Sequence, residues 1–197
     1  MDTAFAPEPR ARAVALFNYT FLLLVLAVVA GILVAAMAMQ YLKGELPCPL
    51  CLLQRVAMLG VCFGIVLSLR GGFSYRYTGI SLVSAVFLLI VAARQTLLDI
   101  YPRPGHAYIG SAVLGMHMPV WSVIVALALL LAYAVEMAVL GRAASLDRVA
   151  IERFPRLQRI AGGLCAVVVA IAVINLVSAF VQCGLGECHT FSYKLLS

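Results

Sequence analysis

The stretch 44–71, GELPCPLCLLQRVAMLGVCFGIVLSLRG, decides how this chain is built. From Pro49 to Leu69 it carries one charged residue, Arg55, and it is bounded by Pro47 before and by Arg70-Gly71-Gly72 after. A helix needs about 20 apolar residues to cross the hydrocarbon layer of a bilayer, and this run has that length. It lacks the in–out alternation that a membrane β-strand requires, so a helix is predicted. Pro49 suits the first turn of that helix, where its missing N–H removes no hydrogen bond. The two cysteines of Cys48-Pro-Leu-Cys51 then fall at the mouth of the span.

Working outward, four further stretches read the same way: about 14–39, 77–98, 119–140 and 160–181, the last interrupted only by Asn175. With 64% hydrophobic and 11% charged residues, too little polar surface remains to cover a globule in water. The expected fold is an all-α polytopic membrane bundle of five spans, with residues 1–197 forming a single integral membrane domain. No repeat, low-complexity tract or long linker marks a second one. Ala36-Met37-Ala38 resembles a signal-peptide cleavage site. However, the apolar core before it exceeds the roughly 7–15 residues of a signal sequence, and four spans follow, so the first span is expected to be retained.

Lys and Arg residues set the expected orientation. One set of loops holds Arg10, Arg12, Arg70, Arg76, Arg142, Arg148, Arg153, Arg156 and Arg159, nine in all. The other set, counted near the helix ends, holds Lys43, Arg55, Arg94, Arg103 and Lys194, which is five. The positive-inside rule puts the richer side in the cytoplasm, hence the N-terminus inside and, after five spans, the C-terminus outside. The net charge of +6 is then accounted for by topology and anionic lipid headgroups, and no nucleic-acid partner is expected. The basic segment 141–159 is expected to lie as a short helix along the inner surface.

This topology assigns the six cysteines without having used them. Cys48 and Cys51 fall on the outer side, and so do Cys183 and Cys188 in the tail Gln182-Cys-Gly-Leu-Gly-Glu-Cys188. Disulfides persist on that side, whereas the cytosol keeps thiols reduced. Cys62 and Cys165 fall within apolar helices and read as small buried hydrophobes. A CxxC also serves zinc sites and structural bridges, and a four-cysteine zinc site is the main chemical rival. Against it stand the membrane mouth and Arg55, four residues beyond Cys51 and one turn deeper on the same helix face. An intramembrane guanidinium either snorkels to the headgroups or meets a partner or ligand. The dipole and free N–H groups at the helix start favour a thiolate at Cys48 or Cys51. His106, His117 and His189 fall in or beside outer segments, none placed mid-span as a haem ligand, and no metal site is expected.

The run Glu45-Leu-Pro-Cys-Pro-Leu-Cys-Leu-Leu-Gln-Arg-Val-Ala-Met-Leu-Gly60 resembles the first periplasmic loop and second helix of the DsbB disulfide-bond formation family. Arg94-Gln-Thr-Leu-Leu-Asp-Ile-Tyr-Pro102 and Leu114-Gly-Met-His-Met-Pro-Val-Trp121 resemble that family's third-helix exit and fourth-helix start. The resemblance implies a four-helix core in the bacterial inner membrane, with the fifth span added after it. It implies a quinone cofactor, ubiquinone ahead of menaquinone, that exchanges electrons with Cys48 and Cys51. It also implies a periplasmic DsbA-like thiol oxidase as partner. By position it puts Arg55, Arg94 and Gln95 at the quinone site. A strongly oxidising thiol protein near about −120 mV cannot be recharged by glutathione, each 30 mV costing about 1.4 kcal/mol, which is why a quinone acceptor suits the task.

The chain departs from the family in one respect. The usual DsbB carries a second cysteine pair in its second periplasmic loop, here about 99–118, and this loop contains no cysteine. Cys183 and Cys188 are expected to replace it as a catalytic shuttle, with Gly184 and Gly186 letting the tail bend. A static tail disulfide is the plainer possibility. Trp121 either contacts the quinone ring or belongs to the interfacial aromatic belt. Two other functions stay open: a vitamin-K-epoxide-reductase-like or specialised thiol relay, and a non-enzymatic subunit braced by structural disulfides.

Overall fold

The computed structural model describes residues 9–101, 114–140 and 150–184. Among the described residues there are five long helices: α1 (Pro9–Leu42), α2 (Pro49–Gly71), α3 (Tyr75–Ile100), α4 (Met118–Leu140) and α5 (Pro155–Cys183). A 3-10 turn, Ile151–Arg153, precedes α5. All five are long and apolar enough to cross a membrane, and the chain is a multi-pass membrane protein of all-α class. Large apolar side chains face outward along them: Leu24, Val83, Leu131 and Leu176 are 64–71% exposed. In water such a surface would be an association site, but against lipid tails it is the solvated face.

α2 lies against α3, α3 against α4, and α1 touches both α2 and α4, which closes a four-helix core; α5 packs on α1 and α2. The core runs through Leu26, Val29 and Leu33 of α1, Val61 and Ile65 of α2, Leu88 of α3 and Leu129 of α4. Cys62 and Cys165 are free thiols buried within it, as their apolar surroundings in the sequence suggested.

The tightest crossing, α2 on α3, is built from small residues. Gly60 and Gly64, one turn apart on α2, face Ser84 and Ser81 of α3, and Ser81 Oγ donates to the Val61 carbonyl at 3.0 Å. Tails of lipid are as apolar as leucine, so close backbone approach and hydrogen bonds between helices carry much of the association. A Cβ on Gly64 would stand 2.7 Å from the Tyr77 carbonyl oxygen and 2.9 Å from the Ser81 nitrogen, both backbone atoms that cannot turn aside.

Two features differ from the sequence reading. α1 begins at Pro9 and spans 34 residues, about 51 Å at the usual rise, well beyond the roughly 30 Å hydrocarbon core. Hydropathy marks where lipid ends, whereas helix propensity carries Arg10–Ala13 on into the same helix. Of the expected basic helix over 141–159, the described part, 150–159, does not form a separate α-helix. Pro155–Arg159 form the first turn of α5, the 3-10 turn precedes them, and 141–149 lie outside the described residues. The start of α5 is pinned to α1 there: Phe154 packs edge-on against Tyr19 at 6.3 Å between centroids, and Arg12 sits 5.8 Å from the Phe154 ring.

Gly64→Leu should separate α2 from α3 and cost about 1–3 kcal/mol. Gly60→Ala should cost less, because the nearest atom to its Cβ is the rotatable Ser84 hydroxyl. Helical signal followed through SDS unfolding of detergent-solubilised protein measures both, and equal midpoints for Gly64→Leu and wild type would contradict this packing.

Candidate functional site

Cys48 is the N-cap of α2. Its backbone is extended (φ −70°, ψ 163°), Pro49 occupies the first helical position, and the Cys51 N–H donates to Cys48 Sγ at 3.1 Å. The extended cap and the helical turn bring the two Cα atoms to 5.0 Å, and the two residues form a disulfide. Cys48 is buried; Cys51 is half-buried and faces inward.

Four other helices hold this turn. From α3, buried Gln95 directs its Nε2 toward Cys48 Sγ at 3.4 Å and Cys51 Sγ at 3.5 Å. Its Oε1 accepts from Gln54 Nε2 at 2.9 Å, and Gln54 Oε1 accepts from Ser122 Oγ of α4 at 2.7 Å. From α1, Gln40 Oε1 accepts from Arg55 Nη1 at 2.6 Å, while the Ala36 carbonyl accepts from Nη2 at 3.1 Å. Arg55 is thus a buried cation fastened to the neighbouring helix rather than a snorkelling one. From α5, fully buried Gln182 donates from Nε2 to the Pro47 carbonyl at 2.8 Å, and Ser178 is hydrogen-bonded to Tyr41 of α1.

Beside the disulfide lies a cavity of about 250 Å³ between α1, α2 and α4. Ile32, Leu33, Ala36, Met39, Met58, Pro119 and Val125 make its walls largely apolar. Cys51, Arg55, Gln54 and Gln95 are gathered on its lining, with Glu45, Trp121 and Ser122. Cys51 lines the cavity and Cys48 does not. The volume lies just below the usual range of ligand cavities, about 300–1,000 Å³, room for a single substituted ring.

The site thus brings together Cys48, Cys51, Arg55 and Gln95. It does not include Arg94, which the sequence reading had grouped with Gln95. Consecutive helical residues point about 100° apart, so with Gln95 turned inward Arg94 falls on the exposed face of α3, off the cavity lining. Trp121 stands on the cavity lining. Cys183 is the last residue of α5 and is disulfide-bonded, its partner lying outside the described residues. Gly184 caps the helix with φ +60°, a conformation suited to glycine, and its N–H donates to the Phe180 carbonyl at 2.8 Å. Cys188 and Gly186 lie outside the described residues. Gln40, Gln54, Ser122 and Gln182 were not singled out from sequence. The available signal was a polar side chain inside an apolar span.

A disulfide at a helix start, opening on an apolar cavity with a buried guanidinium in its wall, defines a class: polytopic membrane proteins with a cavity-facing CxxC. Residues 18–108 match the family model for disulfide bond formation protein DsbB, and in that segment the chain is similar to the DsbB family. Disulfide bond formation protein B of Acidovorax sp. (strain JS42) is 39% identical over 98 residues, 48% of this chain and 56% of that protein. The protein of the same name from Paracidovorax citrulli is 39% identical over 98 residues, 48% and 55% of the two chains. The Marinobacter nauticus protein is 41% identical over 83 residues, 40% and 49%. The chain therefore spans about half the length of the curated relatives it matches. α4 and α5 lie beyond the family match. No solved structure matches the chain.

Gln40→Leu should destabilise the fold by about 1.5–3 kcal/mol, the range for a hydrogen bond to a charged group left unmade in a buried place. Gln40→Glu keeps an acceptor oxygen against Arg55 and should lose less. Thermal midpoints in detergent check the order, and Gln40→Leu as stable as wild type would contradict the fastening of Arg55.

Proposed function

We propose that the chain is a quinone-linked thiol–disulfide oxidoreductase: it oxidises the thiols of a DsbA-like partner and delivers the electrons to a membrane quinone. One observation carries the reading. Cys51 and Arg55 line the same apolar cavity, and Cys48, the other half of the disulfide, does not. The residues fit a quinone: apolar walls for the ring, Arg55 and Gln95 as donors at the polar end, and Trp121 as an aromatic neighbour. When bound, a quinone would supply the acceptor, taking up two electrons and two protons. The family match and the names of the relatives support the disulfide-forming half of the reading.

The residues divide the work by position. A partner thiolate attacks the Cys183 disulfide, with Cys188 as its proposed second member. A mixed disulfide forms as the old S–S bond breaks, and the partner's second thiolate resolves it. The partner leaves oxidised and the tail pair is reduced by two electrons. A tail thiolate then attacks Cys48 Sγ, and Cys51 departs as a thiolate toward the cavity, where Arg55 faces it. The second tail thiol closes the tail disulfide again, leaving both electrons on Cys48 and Cys51. The Gln182–Pro47 hydrogen bond supports this order, since it joins the residue before Cys183 to the residue before Cys48.

The site is proposed to face the periplasm from the bacterial inner membrane, with the N-terminus cytoplasmic, on the nine-to-five division of Lys and Arg. Residues 1–197 are proposed to act as one domain, because α5 helps to hold the disulfide turn.

Purified protein in liposomes should reduce a ubiquinone analogue, tested alongside menaquinone, when given a reduced DsbA-like partner. Cys48→Ser and Cys51→Ser should abolish turnover, and Arg55→Leu should lower it about a hundredfold, the scale of losing one charge-stabilising donor. Cys183→Ser should lose turnover with the protein partner yet keep it with dithiothreitol. Wild-type turnover of Cys183→Ser with the partner would remove the tail relay. Unreduced quinone with folded protein would remove the whole reading.

A further inference from the structure

Gln95, Gln54 and Ser122 are each at least 91% buried, and they form a line from α3 through α2 to α4 that ends on the two sulfurs. A carboxamide has a donor end and an acceptor end, so a buried one takes its direction from its neighbours. Gln95 Oε1 is engaged by Gln54 Nε2 at 2.9 Å, which leaves the Gln95 NH2 group facing Cys48 Sγ and Cys51 Sγ at 3.4 and 3.5 Å. Oε1 itself stands further from Cys51 Sγ, at 3.9 Å. Gln54 is held in the same sense, because its Oε1 accepts the Ser122 hydroxyl proton at 2.7 Å.

If Gln95 alone turned over, its NH2 would oppose the NH2 of Gln54 and its carbonyl oxygen would face both sulfurs. If Gln54 turned as well, Ser122 Oγ would have to give up that bond and donate to the Met118 carbonyl at 3.3 Å. The three groups therefore share one direction. A disulfide sulfur is a weak acceptor, whereas a thiolate accepts a charge-assisted hydrogen bond of roughly twice the strength of a neutral one. Donors fixed on the sulfurs thus favour the reduced pair over the disulfide.

We propose that Gln54, fixed by Ser122, is a positioning residue that keeps the Gln95 NH2 group on Cys48 and Cys51 and so sets how readily this disulfide accepts electrons. The inference rests on the pair being redox-active, as proposed above, but it concerns the disulfide–dithiol equilibrium and not quinone. The charged groups on the same cavity, Arg55 and Glu45, are untouched by the substitutions that test it.

The whole protein, stripped of quinone in detergent, is equilibrated in dithiothreitol redox buffers, and the Cys48–Cys51 pair is trapped and counted. In Gln54→Glu the carboxylate cannot donate to Gln95 Oε1 and attracts its NH2 instead, so the equilibrium should move toward the disulfide by about tenfold. Ser122→Ala, which leaves every amide in place, should move it the same way by about threefold, and it serves if Gln54→Glu does not fold. In a Gln95→Leu background neither substitution should have a further effect, a result that general loosening of the bundle would not give. Wild-type equilibrium in Ser122→Ala and in folded Gln54→Glu, or shifts that persist in the Gln95→Leu background, would overturn the proposal. A shifted equilibrium in protein that never reduces quinone would leave it standing and remove the function proposed above.

Discussion

Arg55 stands one turn below Cys51 in a span with no other charge, and the hydrocarbon around it offers no water. Its guanidinium must therefore be met by protein, and the partners come from α1: the Gln40 side chain and the Ala36 carbonyl, the latter made available by the small residue at the approach. That fastening sets the depth of α1 against α2 and opens the space between them, because Ile32, Leu33, Ala36 and Met39 then face the Cys51 side of α2 across the cavity. The other polar groups of the site obey the same demand. Gln54 is met by Gln95 and Ser122, and Gln182 reaches the Pro47 carbonyl. These contacts tie α1, α3, α4 and α5 to the start of α2 and the loop just before it, so the disulfide stands where four other helices converge.

The fifth helix has a consequence for chemistry as well as for packing. α5 ends at Cys183, beside the loop that ends at Cys48, because Gln182 is hydrogen-bonded to Pro47 and Ser178 to Tyr41. α5 therefore ends close to the Cys48 side of the disulfide, whereas Cys51 lines the apolar cavity. The two sulfurs of one bond are thereby given different surroundings. That asymmetry is what a two-sided electron carrier needs: a thiol approaching from one direction and an acceptor from the other.

Much of this was legible in the sequence. The lengths of the apolar runs gave five helices, and Pro49 located Cys48 at a helix start, because a bilayer permits few alternatives to a helix of about 20 residues. What escaped was the identity of partners. Gln40, Gln54, Ser122 and Gln182 are ordinary polar residues until the helices are packed, and hydropathy does not say which helix each one faces. Arg94 and Gln95 show the limit most clearly: proximity in sequence suggested one role for both, and helical phase separated them. Gly60 and Gly64 were equally silent, since a small residue in an apolar run reads as more lipid-facing surface until a second helix is seen against it. The extra length of α1 escaped because its first turn is polar, and polarity ends a span without ending a helix.

The central claim is that the cavity beside Cys51 is where electrons leave the reduced Cys48–Cys51 pair. It is tested most directly by a single turnover without any thiol partner: the Cys48–Cys51 pair is reduced, excess reductant is removed, and one equivalent of ubiquinone analogue is added in lipid. The account predicts one quinol formed per protein, with the Cys48–Cys51 disulfide restored at the same rate. Quinone left oxidised while the dithiol persists, in protein that keeps its helical fold, would contradict it.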